Sequence, residues 1–141
     1  MKLVIVAAGK LREPWVREGC AEYEKRIARH LPTEIVEVKD SAALAARIPE
    51  RARLVALDER GKQPSSQELA DRLAAWMSSG VANVVFLLGD ADGLPAPLLA
   101  RADEKLALSR LTLPHRLARL ILLEQLYRAL SIVRGEPYHR A

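Results

Sequence analysis

The sequence of 141 residues is poor in the side chains that make disulfides and metal sites. It has one cysteine, Cys20, so an internal disulfide is excluded, and the helical pattern around Cys20 suits a small buried hydrophobe. The three histidines, His30, His115 and His139, are scattered, and no pair has zinc-ligand spacing with a third ligand beside it. We therefore expect no metal centre, and the cytosol as the compartment.

Long hydrophobic runs are also missing. The most apolar stretch, residues 117–133, contains the charged residues Arg119, Glu124 and Arg128, whose burial in lipid would be costly. The short apolar run at residues 3–8 is soon followed by charged residues, where a signal peptide would still be hydrophobic. We therefore expect no membrane span and no secretory signal, and a cytoplasmic location.

Three common motifs are absent. The glycines lack the spacing of a Rossmann dinucleotide site, no Gly-Lys-Ser/Thr ends a P-loop, and no Gly-x-Ser-x-Gly elbow is present. The composition is that of a folded domain, because 50% of the residues are apolar and 28% are charged. The net charge of +4 permits attraction to RNA phosphates but is too small to identify a nucleic-acid-binding protein.

Short apolar runs rich in Val, Ile and Leu alternate with stretches of helical period, which predicts an α/β fold. The predicted strands cover residues 2–8, 34–38, 53–57, 83–88 and 105–108. Because most of these runs are almost continuously apolar, we expect a mostly parallel sheet flanked by helices. The chain length and the short connections favour a single domain over residues 1–141.

Helices are predicted between the strands. The first begins at Pro14, and Ser65-x-x-Glu68 has the spacing of a capping box that opens the second. A shorter helix is expected after Pro95, and the last helix covers about residues 116–133. Because this last helix is apolar around most of its circumference, we expect it to be covered on two sides, with another subunit as the second cover.

Ligands of parallel α/β sheets gather at the carboxyl ends of the strands. The loops expected there are residues 58–61, 89–93 and 109–115. The second loop has a glycine at each end, which lets the backbone approach a ligand; a simple strand-to-helix turn is the alternative. For His115, in the third loop, we favour a cap of the last helix over a catalytic role.

Three functional side chains follow one another in the tail: Tyr138, His139 and Arg140. Together they could stack on a base, exchange a proton and hold a phosphate. The alternative is that Tyr138 only anchors the chain to the core. In the last helix, Glu124 and Arg128 are expected to form an internal ion pair, with substrate orientation as the other possibility.

These loops and the tail carry a resemblance that spans the whole chain. The sequence closely resembles the RlmH family, the pseudouridine N3-methyltransferases of the ribosomal large subunit within the SPOUT superfamily. The matching segments are Met1-Lys2-Leu3 with Gly9, Trp15 with Tyr23, Leu57-Asp58, Leu88-Gly89 through Gly93-Leu94, Leu111-Thr112-Leu113-Pro114-His115, Glu124-Gln125-Leu126-Tyr127-Arg128-Ala129, and Pro137-Tyr138-His139-Arg140. Several motifs in this order are far more specific than any one of them.

The resemblance implies a SPOUT-type α/β fold whose C-terminal part forms a deep trefoil knot. It also implies that S-adenosylmethionine binds in the knot. The residues that the resemblance places at the cofactor are Leu57, Gly89, Asp90, Ser109, Arg110, Leu111, Thr112, Leu113 and Pro114.

Two features depart from the family pattern. Asp90 stands where the family usually has a second glycine. Its carboxylate could favour the cationic sulfonium or the ribose hydroxyls of the cofactor. The connection between the second and third strands, residues 40–51, is compact, and the chain is somewhat shorter than is usual in the family.

The activity implied by the resemblance is methyl transfer from S-adenosylmethionine to N3 of a pseudouridine in large-subunit (23S) ribosomal RNA on the assembled ribosome. It also implies a homodimer in which the tail of one subunit completes the site of the other. Because the imide nitrogen must lose a proton, we expect His139 to transfer it, Tyr138 to position the base and Arg140 to stabilise negative charge, with Glu124 in reserve. The alternatives are a SPOUT enzyme for another RNA base or a ribose, and a non-catalytic ribosome-binding relative.

Overall fold

The fold is known from a computed structural model, which describes residues 1–140. Five strands form one sheet in the order β2-β1-β4-β3-β5, and all the paired strands are parallel. The strands are β1 (Lys2–Ala8), β2 (Thr33–Val38), β3 (Ala52–Lys62), β4 (Asn83–Leu88) and β5 (Glu104–Leu106). The helices are α1 (Pro14–Ala28), α2 (Ser66–Ser78), α3 (Ala96–Arg101) and α4 (His115–Val133). The predicted α/β fold with a parallel sheet is confirmed.

Both faces of the sheet are covered, which is why the central strands are apolar along their whole length. Ile5 and Phe86 point to a core shared with α1, α2 and α4. Val6 and Leu87 point to the opposite core, which two short 3-10 helices (Ser41–Ala43 and Ala45–Arg47) and α3 help to close. The compact connection between β2 and β3 therefore covers part of one face of the sheet.

The predicted helix starts are confirmed. Pro14 occupies the first turn of α1, where a missing N–H costs nothing. At α2, the Ser65 hydroxyl accepts from the Glu68 N–H, and the Glu68 carboxylate accepts from the Ser65 N–H, which completes the capping box. Local sequence determines both features, so they are predictable without the fold.

Helix α4 is covered within its own chain. It packs against both α1 and α2, and Leu122, Leu123 and Leu126 are almost fully buried. Its apolar circumference therefore does not by itself require a second subunit, and that step of the sequence argument is corrected.

The loop expected at residues 58–61 is wrong, because β3 continues to Lys62. The pairing of β3 with β5 shifts register between Leu57 and Lys62, and both residues pair with Leu106. The four residues between them form an irregular, bulged excursion within the strand, in which the Arg60 N–H donates to Asp58 Oδ1 at 3.3 Å. A Cβ on Gly61 would lie 2.6 Å from the Lys105 carbonyl carbon, so glycine permits the close approach of β5.

Within residues 1–140, no helix is long and apolar enough to cross a membrane. The same residues contain no group of three His, Cys, Asp or Glu side chains arranged to hold a metal ion.

Candidate functional site: a cleft at the strand ends and a cluster at the tail

A cleft of about 390 Å³ opens at the carboxyl ends of β3 and β4 and beside the segment after β5. It is lined by residues from three segments, 57–60, 88–94 and 106–115, with Leu99 and Ala118 completing the walls. The volume is within the usual range for a site that binds a small molecule. The three segments are the strand ends where the sequence predicted the ligand, although the first is a bulged strand.

The segment 89–93, here called the glycine loop, folds back on itself. The Gly93 N–H donates to the Asp90 carbonyl at 2.9 Å. A Cβ on Gly89 would lie 2.6 Å from the Gly93 carbonyl carbon and 2.9 Å from the Leu94 nitrogen. Gly93 itself has φ +82°, which most side chains disfavour. Glycine is therefore needed at both ends, for close packing at Gly89 and for the left-handed backbone at Gly93.

The cleft walls combine apolar side chains with carboxylates. Leucines from all three segments line it, and so do Asp58, Glu59, Asp90 and Asp92, against a single cationic lining residue, Arg60. This excess of negative charge favours a ligand that carries positive charge.

Asp90 is held by backbone donors. Its Oδ2 accepts from the Ser41 N–H at 3.1 Å, and its Oδ1 accepts from the Asp92 N–H at 3.0 Å. These bonds, above all the one from Ser41, lower the pKa of Asp90 below its usual value. The carboxylate therefore stays ionised in the cleft; direct contact with a cofactor stays a prediction.

His115 begins α4 and lies on the cleft wall. Its Nδ1 is 3.1 Å from the Gly89 carbonyl oxygen; since a carbonyl only accepts, Nδ1 carries the proton. Nε2 is buried and has no hydrogen-bond partner among residues 1–140. Burial, followed by the positive charge of Arg119, lowers the pKa of His115, so the ring is neutral at pH 7. Sequence reasoning favoured a capping role for His115 over a catalytic one. That expectation is wrong, because Pro114 is the N-cap of α4, no side chain of the described residues caps the helix, and His115 contacts the glycine loop instead.

Arg119 is a second residue whose role sequence reasoning missed. Only 2% exposed, it forms an ion pair with Glu37 and donates to the Gly9 carbonyl at 2.9 Å. It thereby ties α4 to the carboxyl ends of β1 and β2. An arginine inside the most apolar helix was the sequence signal that could have revealed this role, because a buried charge needs a partner.

Most of the predicted cofactor residues line the same cleft. Those that do are Leu57, Gly89, Asp90, Ser109, Leu111, Thr112 and Leu113. Arg110 and Pro114 are not among the lining residues, although they belong to the same segment. Leu111 is 77% exposed, which leaves a large apolar side chain at the mouth of the cleft.

The tail forms a separate cluster on α4. The Tyr138 hydroxyl donates to Glu124 Oε2 at 2.8 Å and lies 3.2 Å from the Tyr23 hydroxyl. The ring of Tyr138 packs edge-on against Tyr127, with 4.7 Å between the centroids. The ion pair expected within α4 is present, with Arg128 Nη2 at 2.8 Å from Glu124 Oε2. These contacts anchor Tyr138 to α1 and α4; whether it also has a role in the reaction stays a prediction.

These contacts set the donor and acceptor roles within the cluster. Desolvation and the hydrogen bonds with Tyr23 and Glu124 raise the pKa of Tyr138, so its hydroxyl remains a donor. Arg128 Nη1 lies 3.1 Å from His139 Nδ1, and because arginine only donates, Nδ1 is the acceptor. A neutral His139 then carries its proton on Nε2. Arg140 is exposed, and residue 141 lies outside the described residues.

The cleft and the tail cluster lie on different parts of α4. His115 lines the cleft, whereas Glu124, which holds Tyr138, comes nine residues later. Ala118, the cleft-lining residue of α4 nearest to Glu124, is six residues away, which is about 9 Å along the helix at 1.5 Å per residue. None of Glu124, Tyr138 and His139 lines the cleft of the same chain.

A second cavity, of about 680 Å³, lies between α2 and the β3–β5 edge. Trp76 and Phe86 form part of its wall, and its rim carries charges of both signs. It shares Arg60 and Leu106 with the first cleft but contains no residue of the glycine loop.

A parallel α/β sheet with a glycine loop and a carboxylate-rich cleft at its strand ends is typical of proteins that bind a small ligand there. The chain belongs to the SPOUT methyltransferase family: the family described as "Predicted SPOUT methyltransferase" matches residues 1–139.

Similar proteins agree with this assignment. A protein of Anaeromyxobacter sp. (strain K) named ribosomal RNA large subunit methyltransferase H is 47% identical, covering 99% of this chain and 100% of its own length. A protein of the same name from Acetivibrio thermocellus is 42% identical over 99% of this chain and 100% of its own length. The solved structure of a probable methylase family protein from Haemophilus influenzae has a TM-score of 0.57 at 12% identity, covering 99% of this chain and 70% of its own. This last similarity concerns the fold alone.

Proposed function

We propose that the protein transfers the methyl group of S-adenosylmethionine to N3 of a pseudouridine in the 23S RNA of the large ribosomal subunit, acting on the assembled ribosome. One observation carries the proposal: residues expected at the cofactor from three separate segments line a single cleft. The relatives named ribosomal RNA large subunit methyltransferase H, which match this chain from end to end, support the substrate class.

The cleft suits S-adenosylmethionine. Its leucines offer apolar walls for an adenine ring, and the carboxylates of Asp58, Glu59, Asp90 and Asp92 can attract the sulfonium and amino charges and accept from ribose hydroxyls. When bound, the cofactor supplies an electrophilic methyl group. The residues proposed to hold it are those of the sequence prediction, Arg110 and Pro114 included.

The tail side chains are proposed to prepare the nucleophile. N3 is an imide nitrogen and must lose its proton, so His139 remains our candidate for proton transfer. To accept a proton at Nδ1 it must leave Arg128, because that nitrogen now accepts from the guanidinium. Tyr138 is proposed to position the base and Arg140 to stabilise negative charge. Glu124 is a weaker candidate because its oxygens already accept from Arg128, Tyr138 and Gln125.

A homodimer is part of the proposal. Glu124, which holds Tyr138, lies about 9 Å along α4 from the nearest cleft-lining residue, and neither Tyr138 nor His139 lines the cleft of its own chain, so the tail would complete the cleft of the other subunit. Trp15, 56% exposed near the start of α1, and Leu111 offer apolar surface for the contact. The fold is proposed to be one domain, threaded as a trefoil knot in its C-terminal part, and the enzyme to act in the cytoplasm, where ribosomes are assembled.

The test is methyl transfer from labelled S-adenosylmethionine to assembled ribosomes that lack this methylation, followed by mapping of the label to a nucleotide. Label on N3 of a 23S pseudouridine is the expected result. Label on another base or on a ribose would show that the proposed target is wrong and would identify the position that is methylated. Binding of both cofactor and ribosome without transfer would identify a non-catalytic relative.

A variant lacking residues 138–141 tests the role of the tail. It should still bind S-adenosylmethionine, because these residues lie outside the cleft of their own chain, but it should transfer no methyl group. Unchanged transfer would refute the assignment of the tail. A Gly89→Ala variant, altered inside the cleft, is the contrasting variant, since the added Cβ meets the Gly93 backbone and cofactor affinity should fall.

A further inference from the structure

Ser41 is a buried polar residue that the proposed reaction does not use. It opens the first 3-10 helix after β2, is 8% exposed and does not line the cleft. Its hydroxyl nevertheless spans the glycine loop, donating to the Gly93 carbonyl at 2.9 Å and accepting from the Asp90 N–H at 2.9 Å. A single side chain from a distant connection thus contacts both ends of the loop.

Asp90 completes the attachment from the other side. Its carboxylate accepts from the Ser41 N–H with one oxygen and from the Asp92 N–H with the other. Together with the Gly93 N–H to Asp90 carbonyl bond, these contacts close the loop into a ring fixed to the β2–β3 connection. A further side-chain attachment of the loop is the hydrogen bond from His115 Nδ1 to the Gly89 carbonyl oxygen.

The ring sets the shape of the cleft wall, because every residue from Gly89 to Leu94 lines the cleft. A loop held in its binding conformation before the ligand arrives loses less entropy on binding. Removal of the Ser41 hydroxyl breaks two bonds and leaves the Asp90 N–H without its partner. The loop would then sample conformations in which the cleft is misshapen.

We propose that Ser41 and the Asp90 carboxylate are positioning residues for the cofactor, which hold the glycine loop from the connection between β2 and β3. The proposal rests on S-adenosylmethionine as the ligand of the cleft. An aspartate at position 90 then has a structural role, because its carboxylate accepts from the Ser41 N–H and so holds the loop, whether or not it also contacts the cofactor.

The experiment compares Ser41→Ala, Asp90→Ala and Asp90→Asn with the wild-type protein. The dissociation constant of S-adenosylmethionine is measured by calorimetry, and amide hydrogen exchange of the loop is measured without cofactor. Ser41→Ala and Asp90→Ala should each raise the dissociation constant by about 5- to 30-fold, as expected for one or two lost hydrogen bonds. Asp90→Asn, which keeps one acceptor oxygen, should fall between Asp90→Ala and the wild type.

Two readouts separate positioning from a general loss of stability. The amides of Asp92 and Gly93 should exchange faster in the variants, and the KM for the cofactor should rise by a larger factor than kcat falls. Ser79→Ala is the matched control: it removes a hydroxyl that donates to the Trp76 carbonyl at the end of α2, away from the loop, and should bind like wild type.

The outcomes distinguish this proposal from the proposed function. Variants that bind within twofold of wild type, with unchanged exchange of the loop, would overturn the positioning role while leaving the function intact. A wild-type protein that binds no S-adenosylmethionine would overturn both. If Ser41→Ala does not fold, the Asp90→Ala variant tests the positioning role, since Asp90 is more exposed than Ser41.

Discussion

Replacement of Gly89 by alanine should both destabilise the fold and weaken cofactor binding in the cleft. The added Cβ would lie 2.6 Å from the Gly93 carbonyl carbon, 2.7 Å from its oxygen and 2.9 Å from the Leu94 nitrogen. All three are backbone atoms, so no flexible side chain can move away, and the end of the loop must shift. Overpacking of this kind costs about 1–3 kcal/mol.

The shift would also strain two hydrogen bonds, from the Gly93 N–H to the Asp90 carbonyl and from the Ser41 hydroxyl to the Gly93 carbonyl. At about 1 kcal/mol each, their loss would weaken cofactor binding by about 2 kcal/mol, or roughly 30-fold in the dissociation constant. Calorimetric titration with S-adenosylmethionine measures the affinity, and urea unfolding measures the free energy of unfolding.

Gly80→Ala is the matched control for Gly89→Ala. Gly80 follows α2 with φ +76°, and nothing lies within 4 Å of an added Cβ. Its substitution should reduce the free energy of unfolding by about 1–2 kcal/mol through backbone strain, without changing cofactor affinity. If Gly89→Ala binds the cofactor as tightly as Gly80→Ala does, the inferred geometry of the loop is refuted.

Three further predictions concern α4 and the tail. Tyr138→Phe removes the hydroxyl that donates to Glu124, so the free energy of unfolding in urea should fall by about 1 kcal/mol; an unchanged value would contradict the anchoring role. Burial holds the pKa of His115 below its usual value, so as the pH falls His115 is protonated in the unfolded chain before it is protonated in the folded protein. The free energy of unfolding should therefore decrease below about pH 6.5, and it should decrease less steeply in His115→Asn. The same pH dependence of the free energy of unfolding in wild type and His115→Asn would contradict a buried, neutral His115 ring. Arg119→Met removes the ion-pair partner of the partly exposed Glu37 and should lower the free energy of unfolding by about 3 kcal/mol. The double variant Arg119→Met, Glu37→Gln should lose less free energy of unfolding than the sum of the two single variants. Additive losses would show that the two side chains are not coupled.

Features that depend on neighbouring residues were predictable from the sequence. The capping box at Ser65 and Glu68 spans four residues, and the apolar runs of β1 and β4 are continuous because both faces of these strands are buried. The strand order follows neither from periodicity nor from spacing. The resemblance, carried by several short motifs, implied the cofactor segments before any geometry was known.

The tertiary structure decided the features in which distant residues meet. β3 continues to Lys62 because β5 pairs with it across a register shift, which a pattern within β3 alone does not encode. Ser41 and Asp90 are 49 residues apart, and Arg119 is 82 residues from Glu37, so only the fold brings these partners together. Local sequence determines which segments begin as strands and helices, because these depend on nearby backbone and side-chain patterns. Which polar groups are buried together, and hence how the glycine loop is held, depends on the packing of segments far apart in the chain.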